Sequence, residues 1–480
     1  MEAIPSLRGP SQAFVVLITA WLGYQLLKIL YNVSPLHPLS SIPGPRLAAA
    51  SYLPEFYHDV ILLGRYTHQI RRMHEIYGPL VRINPNEVHC NDPDFADEIF
   101  AGGGRKRNKS SHQVDANFNR HSGFATVDHD RHRSRRAPLS KFFSRASIAR
   151  LEGDIAELTQ KLCDKILAHR GQEQPFDITI AYSNLTTDTI SGYCFGKQFG
   201  LSRFVDNLPQ PLVHLVRIMQ IEMPRRIEEI REGQRAGVLY ERPTIIGAIL
   251  DSDLRDKEKS TSRVADESFA VVGAGTETTA WALTVMTHRL LSNREILERL
   301  TQELQHTVKD PRRLPSWTVL EKLPYLSAVI QESLRLSYGV SARTARVATQ
   351  EDLVYQGEWD KKPIRYVIPR GYAIGMSAVI THHDENIFPR SHEFRPDRWL
   401  DPERRRELER GILGFGKGSR ACLGMNLALC ELHLAAAALT LRVFPYMRLF
   451  ETTEEDLRYD YDTIVPMPKR ESRGVRATVV

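Results

Sequence analysis

The sequence predicts a mainly helical α+β fold: one large domain behind an N-terminal membrane anchor. Three observations predict it. Long stretches repeat apolar residues at helical spacing, two short stretches alternate as strands do, and one apolar run near the N-terminus is long enough to cross a bilayer. At 480 residues, with 42% hydrophobic and 25% charged residues, the chain has the make-up of an ordinary folded body with a substantial core. Its formal net charge of +6 is a mild excess that suits an acidic partner or a membrane surface. No basic stripe interleaved with aromatics points to nucleic acid.

The run Ala13 to Tyr31 is interrupted only by Gln25 and Lys28, and Lys28 lies near its end, where a long stem reaches the headgroups. Its length and the lack of a small-x-small cleavage site favour a membrane anchor over a signal peptide. Residues 1–12 then form a lumenal segment, 13–31 the anchor, 32–48 a linker and 49–480 the large folded body. Arg46, Arg65, Arg71 and Arg72 follow the run and only Arg8 precedes it, which places the body on the cytosolic side. Four prolines between Ser34 and Arg46 exclude helix and central strand, so this piece reads as a stiff spacer.

Within the body, residues 78–90 alternate and carry a turn at Asn84-Pro85-Asn86, and residues 351–382 form a second strand-like region. Helical periodicity covers Ile148 to His169, Ile180 to Tyr193, Asp266 to Leu291, Arg294 to Val308 and Tyr325 to Ser337. The five cysteines, at 90, 163, 194, 422 and 430, are too few and too uneven for a disulfide framework, so a reducing compartment is expected.

Three motifs carry chemistry. The helix from Asp266 to Leu291 is apolar on almost every face, yet it contains "AGTETT", Ala274 to Thr279. Ala274, Gly275 and Thr278 share a face with Glu277 one position round, which offers room for a small ligand beside a proton source. Against this, glycine costs helix propensity and a threonine can bond a preceding carbonyl, so a bend packed against a neighbour explains the same residues. In "QESLRL", Glu332 and Arg335 are three apart on a helix whose apolar stripe lies on the opposite face; by pattern alone they form a surface pair, and Arg398 of "FRPDRWL" is a third member if the pair is buried. In "LGFGKGSRACLG", Cys422 precedes a helix start, Gly418 and Gly424 permit close approach, and Arg420 supplies a cation. The helix dipole there favours thiolate. Cys430, inside that helix among apolar residues, reads as core.

Taken together these motifs resemble the cytochrome P450 family of haem-thiolate monooxygenases, and the wording further resembles filamentous-fungal members of secondary metabolism. "FGKGSRACLG" matches the family's cysteine loop, "AGTETT" its oxygen-binding helix, and Glu332 with Arg335 its Glu-x-x-Arg pair, all in the right order. The resemblance implies the P450 fold with haem b held by the Cys422 thiolate, which favours O–O bond cleavage. It implies that Arg420, Arg136, His132 and Arg346 bind the propionates, with His132 standing where the family most often has tryptophan. Phe415 would pack near the sulfur, while Ala274 and Gly275 line the cofactor. Glu277 and Thr278 would deliver protons during activation of O2. Glu332, Arg335 and Arg398 would form a structural network.

The chain has no flavin or nicotinamide fingerprint, so electrons are expected from NADPH through cytochrome P450 reductase, with cytochrome b5 as a further donor. Arg131, Arg133, Arg135, Arg136, Lys141 and Lys417 would offer that partner a basic face, although a solvated helix face explains any single one outside the propionate-binding set equally well. The expected location is the endoplasmic reticulum membrane, and the expected substrate a small apolar terpenoid or polyketide. The interval from Gly200 to Glu241, broken by Pro209, Pro211 and Pro224, is short for the two helices that cover the substrate in this family. An isomerase or dehydratase needing no reductase, or a binding protein whose shortened lid has ended turnover, are the rival readings.

Overall fold

A computed structural model describes residues 10–115, 119–172, 174–198, 221–238 and 242–480. Two compact units emerge: residues 1–99 with 344–376, and residues 100–343 with 377–480. Pro209 and Pro211 lie outside the described residues, as do residues 1–9 of the predicted lumenal segment.

The first unit begins with helix α1, Pro10–Val33, whose apolar span Gln12–Val33 is 0% buried. Its exposed side chains include Phe14, Leu17, Trp21 and Leu27, the pattern of a helix with no protein around it. The proline-rich stretch after it is not a free spacer. Leu39 and Ile42 are buried, Asn32 Nδ2 donates to Ala50 O at 2.9 Å, and Arg82 Nη1 donates to Asn32 O at 2.9 Å. Helix α2, Tyr66–Tyr77, packs beside strands β1, Leu80–Asn84, and β2, Glu87–Cys90, which pair antiparallel.

Strand β3, Thr344–Ala348, is followed by the hairpin of β4, Leu353–Trp359, and β5, Lys362–Ile368, and then by β6, Ala373–Met376. Within this unit the sheet order is β1-β2-β6-β3, with β2 and β6 parallel and β6 and β3 antiparallel. All five residues of β1 and all four of β2 are buried, the polar ones included: Arg82 donates to Asn32 O and Pro85 O, and Asn84 Nδ2 donates to Glu55 Oε2.

The second unit is helical. Helices α3, His129–Ser140, α4, Arg145–Leu167, and α5, Ile178–Phe195, lead to α6, Thr261–Ser292. The C-terminal half of α6 is buried on all sides from Ala282 to His288, and its two threonines there have partners, Thr284 Oγ1 donating to Ala280 O at 2.9 Å and Thr287 Oγ1 meeting a tyrosine of α5. Hydroxyls lace α5 to α6: Tyr182 Oη lies 2.7 Å from Thr287 Oγ1, and Thr186 Oγ1 donates to Thr276 O at 2.9 Å. Helices α7, Arg294–Thr307, α8, Pro324–Ser337, and α9, Met425–Ala438, complete the core. The stretch Met425–Val443 is also apolar enough to span a membrane, but 78% of it is buried inside the protein, so it is core. Pro224, read as an interruption, instead sits in the first turn of helix Met223–Arg235, where a missing amide costs nothing.

Candidate active site

Cys422 stands between a 3-10 turn, Gly418–Arg420, and the start of α9. Its amide donates to Phe415 O at 2.7 Å, closing the loop on itself, and Phe415 is half-buried. Cys422 is exposed while the other four cysteines are buried. Even so, desolvation pushes its thiol pKa up, opposed by the Gly424 amide and by Arg136. The thiol is thus accessible and yet desolvated by its surroundings. Burial therefore outweighs the Gly424 amide and Arg136 in setting the direction of this shift.

Around the loop stands a buried group of bases. His132 and Arg420 are buried, and Arg136 is half-buried with its Nη1 donating to Ala421 O at 2.8 Å. Burial, then the charges of Arg420 and Arg136, lowers the His132 pKa to about 3, so its imidazole is neutral and donates one N–H. Burial likewise lowers Arg420, to about 10, with Asp128 opposing and Arg136 adding to the fall. Arg420 spends its guanidinium on backbone carbonyls, donating to Thr126 O and Val127 O at 2.7 Å each and to Arg107 O at 3.4 Å. Gly418 is required by the chain itself. Its φ is +69°, and a Cβ would collide with Phe100 O and lie 2.7 Å from Ala101 O, so the space it opens belongs to the neighbouring backbone.

A second group lies on α6. Ala274 and Glu277 are exposed and Thr278 is half-exposed, while Thr276, Thr279 and Ala280 are buried. The Glu277 carboxyl is pushed above its usual range by burial alone, so it too is accessible and yet desolvated. Thr278 Oγ1 donates to Ala274 O at 2.8 Å, the back-bond open to any helical threonine. Gly275 does not provide the ligand space read from it: a Cβ there would lie 2.9 Å from Ile190 Cγ1, so this glycine admits α5.

Glu332 and Arg335 are not a surface pair. Both side chains are 0% exposed, and the carboxylate accepts from Arg335 Nε at 2.9 Å and Nη2 at 2.8 Å, Arg398 Nε at 3.1 Å, Trp399 Nε1 at 2.8 Å and Arg395 N at 2.9 Å. Burial alone would raise its pKa, but the hydrogen bonds and charges of Arg335 and Arg398 hold it below the usual range. Arg335 Nη1 also donates to His382 O and Ser391 O, at 2.9 and 2.7 Å.

His382, which carried no signal in the sequence, joins this network to the cysteine loop. Its Nε2 accepts from Leu413 N at 2.9 Å, which fixes the proton on Nδ1, and Nδ1 donates to Arg335 O at 2.7 Å. Glu431 was also missed. It is buried on α9, bonded to Thr189 and Thr279, and burial raises its pKa to about 8.

One expectation changes. Arg135 does not belong to an open basic face: it is buried, donating to Glu258 at 2.7 Å, and Arg131 bonds the same carboxylate at 2.9 Å. Arg133 and Lys141 remain exposed. Arg346 lies in the first unit on β3, buried, with Nη1 donating to Ala345 O at 2.9 Å. A cleft of about 2040 Å³ lies among Phe142, Leu158, Asp188, Tyr193, Gln234 and Pro243, and no predicted site residue lines it. Chemistry and not volume marks the site.

An accessible, desolvated thiol on a glycine loop, backed by buried bases and a proton-bearing core helix, suits a cofactor that brings both a cation and carboxylates. That is the donor set of a haem-thiolate oxidoreductase. The cytochrome P450 family profile matches residues 53–226 and 212–445, and the chain belongs to that family. It is 41% identical over 455 residues to cytochrome P450 monooxygenase ppzE of Metarhizium majus, covering 84% of this chain and 95% of the relative. It is 38% identical over 498 residues to cytochrome P450 monooxygenase tpcC of Cochliobolus heterostrophus, covering 92% and 93%. It is also 35% identical over 502 residues to the fusicoccadiene C-8 hydroxylase of Phomopsis amygdali, covering 95% and 94%. The chain is a cytochrome P450 monooxygenase, an oxidoreductase.

Proposed function

We propose that this chain is a membrane-anchored monooxygenase that places one oxygen atom of O2 into a small apolar secondary metabolite, a terpenoid or a polyketide by class. Cys422 carries the reading, because it is the one exposed cysteine of five and stands beside Arg136 and the Gly424 amide. A relative named for hydroxylating fusicoccadiene at C-8 supports a hydrocarbon-rich substrate. The exposed apolar helix α1 supports a single-pass anchor, and with the arginines that follow it the endoplasmic reticulum is the proposed membrane.

Bound through Cys422, haem would supply the activation of O2 and the transfer of one oxygen into an unactivated C–H bond. The overall balance is RH + O2 + 2 e⁻ + 2 H⁺ → ROH + H2O. Electrons come from an NADPH-dependent reductase, for which the exposed Arg133 and Lys141 are contact candidates. Arg420 and Arg136 would hold the propionate carboxylates by charge, and neutral His132 by one hydrogen bond. Glu277 stays protonated above the pH at which a solvated carboxyl ionises, so it can supply a proton. Thr278, donating to Ala274 O, keeps its lone pairs to accept from a water and orient it. These proton-handling groups favour oxygenation, whose balance draws two protons from outside the substrate, over isomerase or dehydratase chemistry, whose balance draws none.

The test is the carbon monoxide difference spectrum of the reduced full-length protein. A thiolate-type, far-red-shifted Soret band is expected in the natural chain and absent in Cys422→Ser. A thiolate-type spectrum retained in Cys422→Ser overturns the assignment.

A further inference from the structure

Residues 121–127 are held from three directions. From α6, Glu267 Oε2 accepts the Gly123 amide at 2.9 Å, and Asp266 Oδ2 accepts the His121 amide at 2.9 Å. From α3, Arg135 Nη1 donates to Ser122 O at 3.3 Å and Thr126 Oγ1 at 2.8 Å, while its Nε is held by Glu258. From the cysteine loop, Arg420 donates to the carbonyls of Thr126 and Val127. The segment also ties itself together, since Thr126 Oγ1 donates to Ser122 O at 2.8 Å. Glu267 is 5% exposed and lies 2.7 Å from Arg263 Nη2, which is 3% exposed, so the carboxylate is fixed by charge before it meets the Gly123 amide.

We infer that residues 121–127 form a strap through which α6 positions Arg420, and that Glu267 is the positioning residue that sets the strap. Arg420 cannot turn toward an anion beside Cys422 independently of the strap, because two of its three backbone acceptors belong to it. The other end of the strap is fixed ten residues, about 15 Å, before Glu277 on the same helix. The helix that carries the proton source therefore also aims the arginine of the cysteine loop. The role assigned to Arg420 rests on the proposed haem reading; the strap itself does not.

Two measurements on full-length protein test this: transfer of haem to excess apomyoglobin, and amide hydrogen exchange across residues 121–127. Glu267→Ala is expected to release haem on the order of tenfold faster, the usual scale for losing a group that orients a ligand's holder. Exchange across the strap is expected to rise with it. Glu267→Gln should fall between, since it keeps an acceptor for the Gly123 amide and loses the charge facing Arg263. Ser268→Ala is the control for lost stability: its buried hydroxyl donates to Val264 O within α6 at 2.7 Å.

Release from Glu267→Ala no faster than from Ser268→Ala, or unchanged exchange at 121–127, overturns the inference. If Glu267→Ala does not fold, Gly123→Ala makes the same test, because its Cβ would lie 3.1 Å from Glu267 Oε1. A natural chain that binds no haem would overturn the proposed function, and the exchange measurement would still decide the strap.

Discussion

Replacing Glu332 with alanine perturbs the second unit where it is least able to adjust. The carboxylate is fully buried and accepts from Arg335, Arg398, Trp399 and the Arg395 amide. Alanine removes both carboxylate oxygens, leaving two guanidinium groups without their counter-charge and an indole N–H and a backbone N–H without an acceptor. Stranding one partner of a buried ion pair costs about 3–5 kcal/mol. Each neutral donor left dry adds about 1–3 kcal/mol. Even with partial relaxation, the loss is roughly 5 kcal/mol or more, against a total stability of about 5–15 kcal/mol for a typical protein. Little folded protein is expected at 37 °C.

Glu332→Gln keeps the shape and one carbonyl acceptor and should lose about half as much. The assay is guanidinium unfolding followed by circular dichroism, with unfolding rates used where refolding fails. A cycle with Arg335→Ala sharpens the test, because the double variant no longer strands Arg335. Coupling of about 2 kcal/mol or more is expected. Single and double changes that add to within about 0.5 kcal/mol, or a Glu332→Ala protein as stable as the natural one, would refute the buried-network argument.

Thr278→Ala should keep the carbon monoxide spectrum while reducing product per NADPH by about tenfold or more, the electrons appearing as hydrogen peroxide, because proton delivery loses its oriented hydroxyl. Product as tightly coupled as in the natural chain would rule that role out. Glu431→Gln addresses pH. An acid whose folded-state pKa is raised stabilises the fold below its unfolded value of 4.5, and loses that contribution as pH climbs to about 8. The natural chain should therefore lose stability between about pH 4.5 and 8 relative to Glu431→Gln, which is neutral throughout. Parallel stability curves for the two proteins over that window would contradict a buried, protonated Glu431.

Periodicity placed the long helices well because each buries a continuous apolar face: Ile180 to Tyr193 became Ile178–Phe195, and Arg294 to Val308 became Arg294–Thr307. It failed at Glu332 and Arg335 for a physical reason. The apolar stripe of α8 identifies one buried face, and by pattern alone the opposite face is wet. The chain from His382 to Trp399 covers that second face with carbonyls, an indole and another arginine, partners that lie 47 to 67 residues away. A polar face buried by polar partners leaves no trace in a hydrophobic pattern. The same limit hid His382, whose role depends on Arg335 O and Leu413 N meeting its two nitrogens.

Glycine was legible as close approach but not as what approaches. Gly275 and Gly418 were both read as openings toward a ligand, and both are filled by protein: Ile190 in one case, the Phe100–Ala101 backbone in the other. Cys422 escaped this ambiguity because it can be compared with four others in the same chain. Burial raises the pKa of all five thiols, so desolvation alone does not distinguish them. Cys422 alone combines that desolvation with exposure, a Gly424 amide and a neighbouring arginine. Such a sulfur gains by meeting a metal cation, which repays the cost of holding a thiolate away from water. The other four thiols are enclosed, and this contrast is what supports the proposed role of the single exposed cysteine near the C-terminus.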